Sequence, residues 1–149
     1  MYTFFKFLHV AAVIAWLGAG VTFSIMNARV ARTRDANNLA FMAEQGEWFG
    51  SRFFSTSAVI TLLSGIVMVV VSDALSFGDL WITAGFAGII ISIILGSVLI
   101  GRATTQLGDT VAAEGFGPGT EAIQRRLATL GTIDLVVLFT VVALMIYKP

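Results

Sequence analysis

The sequence predicts an all-α polytopic membrane protein with four transmembrane helices in an up-down bundle, and two observations carry this prediction. Apolar residues make up 57% of the 149 residues and charged residues only 12%, whereas soluble domains contain roughly 25% charged residues. Four apolar segments also reach the length of about 20 residues that a helix needs to cross the hydrocarbon core. They cover about residues 4–26, 53–72, 80–101 and 127–147. A transmembrane barrel would show short alternating segments instead, and nothing marks a second domain within residues 1–149.

The first span contains the only histidine of the chain, His9, and lies where a secretory signal would. Its apolar stretch exceeds the usual signal core of about 7–15 residues, and Lys6 lies inside it with no basic stretch ahead. We therefore expect a transmembrane helix. Trp16 and Gly20 follow His9 at seven and eleven residues. Because each residue turns a helix by about 100°, these three side chains share one face.

The first connection, "NARVARTRDANNLAFMAEQGEWFGSR", is expected to be helical rather than irregular. Asp35 is a suitable helix N-cap, and Leu39, Met42 and Phe49 follow at near-helical spacing. The second helix is thus expected to begin well before the bilayer. Small and polar residues recur along one side of its span: Ser57, Thr61, Gly65, Met68 and Ser72. That side is predicted to turn toward the interior of the bundle.

The third span carries a stripe of small residues that recur every four positions: Ala84, Gly88, Ser92 and Gly96. Lipid provides no hydrophobic drive for helices to associate, so small residues supply the contact by letting two backbones approach closely. The stripe is predicted to pack within the bundle. A homodimer face is the alternative.

The fourth helix is predicted to begin after the break "GFGPG", with Thr120 as its N-cap and Glu121 at its positive end. Asp134 lies about seven residues inside the span, where a carboxylate costs roughly 2.5–3.5 kcal/mol and normally finds a partner. We predict a structural ion pair with Arg52, with Arg29 as the second choice. A proton or ion relay through Asp134 is the alternative.

Three candidate ligands lie at a similar depth near one edge of the membrane: His9, Met68 and Met145. Imidazole with thioether is a donor set that favours Cu(I), and His with Met is also an axial pair for haem iron. Trp16, on the face of His9, would border the same site. Alternatively, the methionines fill an apolar core and His9 hydrogen-bonds a neighbouring helix. Haem b, copper and no cofactor all stay open, and a bis-histidine haem would require two chains.

The basic residues predict the orientation of the bundle. Seven of the nine flank the first and third connections: Arg29, Arg32, Arg34, Arg52, Arg102, Arg125 and Arg126. Lys6 and Lys148 lie on the other side, and the second connection, "SDALSFGDL", carries no basic residue. The positive-inside rule then predicts that both termini are outside and that the two long connections are cytoplasmic.

Composition also excludes several classes of partner and chemistry. The net charge is zero and no basic stripe is present, which excludes nucleic acid as a partner. The absence of cysteine excludes disulfides, iron–sulfur clusters and thiol chemistry.

Three stretches carry a resemblance to known proteins: "KFLHVAAVIAWLGAG", "TLLSGIVMVV" and "LWITAGFAGIIISIILGSVLIGRA". They resemble the first three helices of a bacterial family of predicted four-helix integral membrane proteins of unknown function. This resemblance implies a bacterial inner membrane, in which the positive-inside rule predicts the chain to be N-out and C-out. The first stretch is also similar to the copper-resistance D-type domain and to the haem-associated protoporphyrinogen oxidase family. The latter resemblance implies that His9 is a haem ligand.

Three functions follow as hypotheses. The favoured one is a non-enzymatic accessory, scaffold or binding bundle that packs with itself or with a larger membrane complex, with haem, copper or nothing at His9. The second is a haem-dependent oxidoreductase acting on a porphyrin or a quinone. The third is an ion or proton-coupled transporter, for which the chain offers neither a discontinuous helix pair nor several buried charges.

Overall fold

The computed structural model describes residues 1–148 and consists of four long helices joined by short connections. They are α1 (Tyr2–Thr33), α2 (Ala36–Val70), α3 (Leu80–Glu114) and α4 (Pro118–Tyr147). Each is long and apolar enough to cross a membrane, and residues 1–148 contain no strand. The all-α prediction with four spans is confirmed. The predicted first, third and fourth spans lie inside a helix, whereas α2 ends two residues before the predicted end of the second span.

Each helix packs against the next one along the chain, and α4 returns to pack against α1. Because the connections are short, consecutive helices run in opposite directions, as in an up-down bundle. One end of the bundle, which we call the short end, carries both termini and the loop 71–79. The other end, which we call the extended end, carries the turns at 34–35 and 115–117.

At the extended end the helices continue beyond their apolar spans and form a core of their own. Buried side chains from α2, α3 and α4 meet there: Leu39, Ala43, Ala103, Leu107, Val111, Ile123 and Leu127. The predicted helical extensions are therefore present. Their sequences alternate apolar with polar residues, so that apolar contacts inside the bundle leave polar side chains on its surface.

The two turns at the extended end depend on specific caps. Asp35 caps α2 as predicted, because its carboxylate accepts a hydrogen bond from the Asn37 N–H at 2.8 Å. The fourth helix begins at Pro118, two residues before the predicted cap Thr120. Proline has the backbone geometry of a first helical residue and needs no partner for an N–H group. Thr120 lies inside the first turn, where its hydroxyl accepts from the Gly117 N–H at 3.0 Å.

α3 and α4 pack closely against each other along part of the predicted small-residue stripe. Gly88 and Ser92 are buried, and a Cβ added at Gly88 would collide with the Val141 side chain. Gly85, which lies outside the predicted stripe, packs in the same way against Met145. We call this contact the glycine seam.

The two ends of the predicted stripe differ from its centre. Ala84 is half-buried. A Cβ added at Gly96 would meet no atom within 4 Å, because Gly96 borders a cavity rather than a helix. The stripe thus packs inside the chain at its centre, and its role in a homodimer stays a prediction.

We expect Gly88→Ala to lower the free energy of unfolding by about 1–3 kcal/mol, the usual cost of overpacking a well-packed contact. The added methyl group would force Val141 away and separate α3 from α4. Thermal unfolding of the purified protein in a mild detergent measures this change. Gly96→Ala is the matched control on the same helix, and equal stability of the two variants would contradict the glycine seam.

Candidate functional site

Two cavities lie one above the other inside the bundle. The His9 cavity, toward the short end, has a volume of about 520 Å³. The Asp134 cavity, toward the extended end, has a volume of about 330 Å³. Between them lies a buried apolar cluster of Trp16, Ala58, Ile89 and Leu138. Trp16 and Leu138 line both cavities, so this cluster forms the partition.

The His9 cavity brings together residues that the sequence placed only at a similar depth. His9, Trp16, Met68 and Met145 all line it, and they come from three different helices. Most other lining residues are aliphatic or aromatic. The predicted candidate ligands therefore share one apolar cavity, while their role as cofactor ligands stays a prediction.

The imidazole of His9 is fixed on α2 by one of its two ring nitrogens. Nδ1 lies 2.9 Å from the Thr61 carbonyl oxygen and 3.2 Å from the Ser64 hydroxyl. A carbonyl can only accept, so Nδ1 carries the proton and Nε2 carries a lone pair. Nε2 has no hydrogen-bond partner within residues 1–148. Gly65 lies against the ring, since a Cβ there would be in van der Waals contact with the imidazole Cε1 at 3.4 Å.

Thr61 presents a second polar group with no partner at the same place. Its side chain is 4% exposed, and its hydroxyl makes no hydrogen bond within residues 1–148. The residue lines the His9 cavity. A buried hydroxyl without a partner is uncommon and costly in folded proteins, so this position favours a water molecule or a ligand inside the cavity.

Two lysines that sequence reasoning did not assign to a site also line the His9 cavity. Lys6 and Lys148 are the only lysines of the chain, and both line the cavity at the short end. The Lys148 ammonium lies 5.2 Å from the centre of the Trp81 ring, within the range of a cation–π contact. Only their position in the sequence could have indicated a role at this cavity, since each lies near the short-end terminus of its helix.

Asp134 lies in the wall of the second cavity, and Ser92 is its partner. The Ser92 hydroxyl donates to the Asp134 carboxylate, and Ser92 is 1% exposed. The predicted ion pair with Arg52 is corrected here, because the Arg52 guanidinium lies 5.9 Å from the centre of the Trp48 ring. Arg29, the second choice, is exposed and makes no ion pair within residues 1–148.

Two π-helical segments, which the sequence did not predict, border the Asp134 cavity. They cover Phe49–Phe54 in α2 and Leu95–Ile100 in α3. Each contains a Gly-Ser pair at its second and third positions, and such pairs are common where a helix deviates from regular geometry. A π-turn adds a residue to the turn and rotates the chain beyond it. This rotation affects the direction in which the Arg52 side chain leaves its helix.

Comparison with known proteins assigns the chain to a family. The family described as "Predicted integral membrane protein (DUF2269)" matches residues 3–149. The chain belongs to this family. No curated protein and no solved structure matches it. The resemblance to a family of membrane proteins of unknown function is thereby confirmed, whereas the similarity to copper-resistance and haem-associated oxidase proteins stays a prediction.

In this DUF2269 protein, Ser92→Ala should lower the free energy of unfolding by about 0.5–1.5 kcal/mol, the usual net contribution of one hydrogen bond, because Asp134 is half-buried. Asp134 would keep its place in the bundle and lose the donor that α3 provides. Thermal unfolding in detergent measures the change. Ser97→Ala on the same helix is the control, because the exposed Ser97 hydroxyl donates only to its own helix, to the Ile93 carbonyl. The prediction fails if both variants unfold at the same temperature as the parent.

Proposed function

We propose that this protein is a membrane-embedded binding protein that holds haem b in the His9 cavity, as an accessory component rather than an enzyme. One observation carries the proposal: Nδ1 of His9 is bound to a backbone carbonyl, and Nε2 is left with its lone pair. Metal-ligating histidines almost always donate their other ring N–H to a carbonyl or a carboxylate, which fixes the tautomer and the orientation of the ring. His9 would therefore supply the axial nitrogen.

The size and lining of the cavity fit a flat apolar ring with two acidic groups. Its volume of about 520 Å³ lies within the usual range of about 300–1,000 Å³ for small-molecule sites. Apolar walls suit the macrocycle, and Lys6 and Lys148 would pair with the two propionate carboxylates. Met68 and Met145 are the candidates for a second axial ligand, since haem iron also accepts His with Met.

The type of haem follows from the composition. The chain has no cysteine, so a haem attached through thioether bonds is excluded and the haem would be bound non-covalently, as haem b is. When bound, haem supplies one-electron redox chemistry, while this chain binds it, orients it and excludes water from it.

Copper is the second candidate for the same cavity. Within residues 1–148 no three His, Cys, Asp or Glu side chains form a metal-binding group, so copper would rely on His9 with Met68 and Met145. All three line the cavity, and this donor set suits Cu(I). The cavity volume favours haem, because a bare ion would leave most of the space empty. The oxidoreductase and transporter hypotheses stay predictions.

We expect the protein, purified in mild detergent from cells supplied with haem and copper, to show a Soret band that His9→Ala abolishes. The reason is that no other histidine exists to replace the axial ligand. Absorption spectra of the oxidised and the dithionite-reduced protein measure this, with metal analysis of the same sample. Met26→Leu is the control, because Met26 lies on the same helix and lines neither cavity.

Other outcomes of this experiment separate the candidates. Stoichiometric copper in the parent protein that is absent from the His9→Ala variant would identify copper, rather than haem, as the ligand of the cavity. A colourless protein without metal would overturn both and leave a scaffold that binds partners. Faster loss of haem from the double variant Lys6→Gln and Lys148→Gln would support the pairing with propionates.

We also propose that the chain lies in a bacterial inner membrane with both termini outside and the extended end in the cytoplasm. Support comes from the charge distribution: Arg29, Arg32, Arg34, Arg102, Arg125 and Arg126 are exposed at the extended end. Only lysine supplies basic side chains at the short end. A cytoplasmic excess of arginine and lysine is the usual determinant of orientation.

The absence of cysteine makes this orientation testable with single substitutions. Ala74→Cys in the short-end loop and Asn37→Cys in the first turn of α2 both alter exposed residues. We expect a membrane-impermeant maleimide to label the Ala74→Cys variant in intact cells, and the Asn37→Cys variant only after permeabilisation. The reverse pattern would invert the proposed orientation.

A further inference from the structure

A third cavity, at the extended end, lies between the last turns of α1 and the first turns of α4. Its volume is about 460 Å³. Its polar walls come from Asn27, Arg32, Arg34, Glu121, Gln124 and Arg125. We call it the arginine pocket. Neither His9 nor Asp134 lines it, so it is separate from the proposed haem site. A function of this pocket therefore does not depend on whether the His9 cavity binds haem.

The pocket has an excess of positive charge that two helices supply together. Arg32 and Arg34 come from the end of α1, and Arg125 comes from α4. The only carboxylate in the walls is Glu121, which lies 3.5 Å from the Arg125 guanidinium. The lining therefore contains three arginines and one carboxylate, and an anion of one or two charges would balance this excess.

Only some of the arginines of the extended end line the pocket. Arg29, Arg102 and Arg126 lie at the same end and are exposed like the pocket arginines, but they do not line it. The orientation rule for membrane proteins requires positive charge at one end of the bundle and does not require that three arginines border one pocket.

A buried amide provides the second, independent indication of a ligand. Gln124 is 7% exposed and lines the pocket. Its side-chain nitrogen has no hydrogen-bond partner within residues 1–148. Buried N–H donors are almost always paired with an acceptor. A donor without an acceptor, beside three guanidinium groups, calls for a ligand with several anionic oxygens.

The depth of the pocket identifies which anion is available. Arg125 lies two residues before the apolar run that starts at Leu127, and Arg32 lies six residues beyond Met26, where the first run ends. At about 1.5 Å per residue, these arginines lie roughly 3–9 Å from the hydrocarbon edge. The headgroup layer extends about 5–8 Å beyond that edge. Arg125 therefore lies within the lipid headgroup layer, Arg32 lies at its outer limit, and Arg34, roughly 12 Å from the edge, lies just beyond it.

We propose that the arginine pocket binds a phosphate group, supplied by the headgroup of an anionic phospholipid. Arginine forms paired hydrogen bonds with phosphate oxygens, and the Gln124 amide would donate to the same group. Basic pockets between transmembrane helices bind anionic headgroups by this chemistry. A soluble phosphate compound shares this chemistry and is the other source.

The test is the thermal unfolding of the full-length protein in mild detergent during titration with lipid. Mixed micelles of phosphatidylglycerol should raise the unfolding temperature in a saturable way, whereas phosphatidylcholine micelles should not. Inorganic phosphate, compared with chloride at equal ionic strength, distinguishes a soluble source from a lipid. Saturation by inorganic phosphate alone would keep the pocket and assign it to a soluble phosphate compound.

Matched variants distinguish the pocket from general surface charge. Arg32→Gln and Arg125→Gln should each weaken the apparent affinity about tenfold, the factor for one charge-assisted hydrogen bond. Arg29→Gln and Arg126→Gln should stay within about twofold of the parent, because neither residue lines the pocket and isolated surface charges contribute little. Glu121→Gln should bind more tightly, because it removes the only opposing carboxylate.

A variant that keeps the fold guards against loss of binding through unfolding. Arg34 has a φ of 53° at the end of α1, a conformation that glycine adopts readily. Arg34→Gly should therefore keep or raise the unfolding temperature without lipid and still weaken the lipid response. Equal loss in all four arginine-to-glutamine variants, or no response to either phosphatidylglycerol or phosphate, would overturn the proposal.

Discussion

The glycine seam between α3 and α4 is the contact on which the rest of the structure depends. In lipid, helices gain no hydrophobic free energy from association, so their contact must come from close packing. At Gly85 and Gly88 the α3 backbone lies directly against the side chains of Met145 and Val141. This contact sets the rotation of α4 relative to α3. The same rotation places Met145 in the wall of the His9 cavity.

The seam also determines the surroundings of Asp134. Ser92 lies one helical turn beyond Gly88, and it donates to the carboxylate across the same helix pair. Ser92 thus reaches Asp134 directly across the contact between α3 and α4, while the carboxylate also borders the Asp134 cavity.

Depth was predictable from the sequence, whereas rotation was not. A helix advances by a constant amount per residue, so the similar depth of His9, Met68 and Met145 followed from their distance to the span edges, and the structure places all three around one cavity. The shared face of His9 and Trp16 was equally predictable, because it depends only on their spacing along one helix. The predicted ion pair of Arg52 with Asp134 is absent from the structure of residues 1–148. Arg52 lies within the π-helical segment Phe49–Phe54, and the extra residue in such a turn changes the direction of the side chains in a way that hydropathy does not report.

The two halves of the bundle are built for two different solvents. At the extended end, Leu39, Leu107 and Val111 belong to a core like that of a soluble protein, and the hydrophobic effect stabilises it because water surrounds it. Within the membrane the contacts rely on glycine and serine instead. Polar groups without partners occur on both sides of this boundary, at Thr61 in the His9 cavity and at Gln124 in the arginine pocket.

The apolar partition around Trp16 lies between His9 and the extended end. A ligand of the His9 cavity would therefore enter from the short end or from the lipid, while the arginine pocket faces the headgroups of the opposite leaflet.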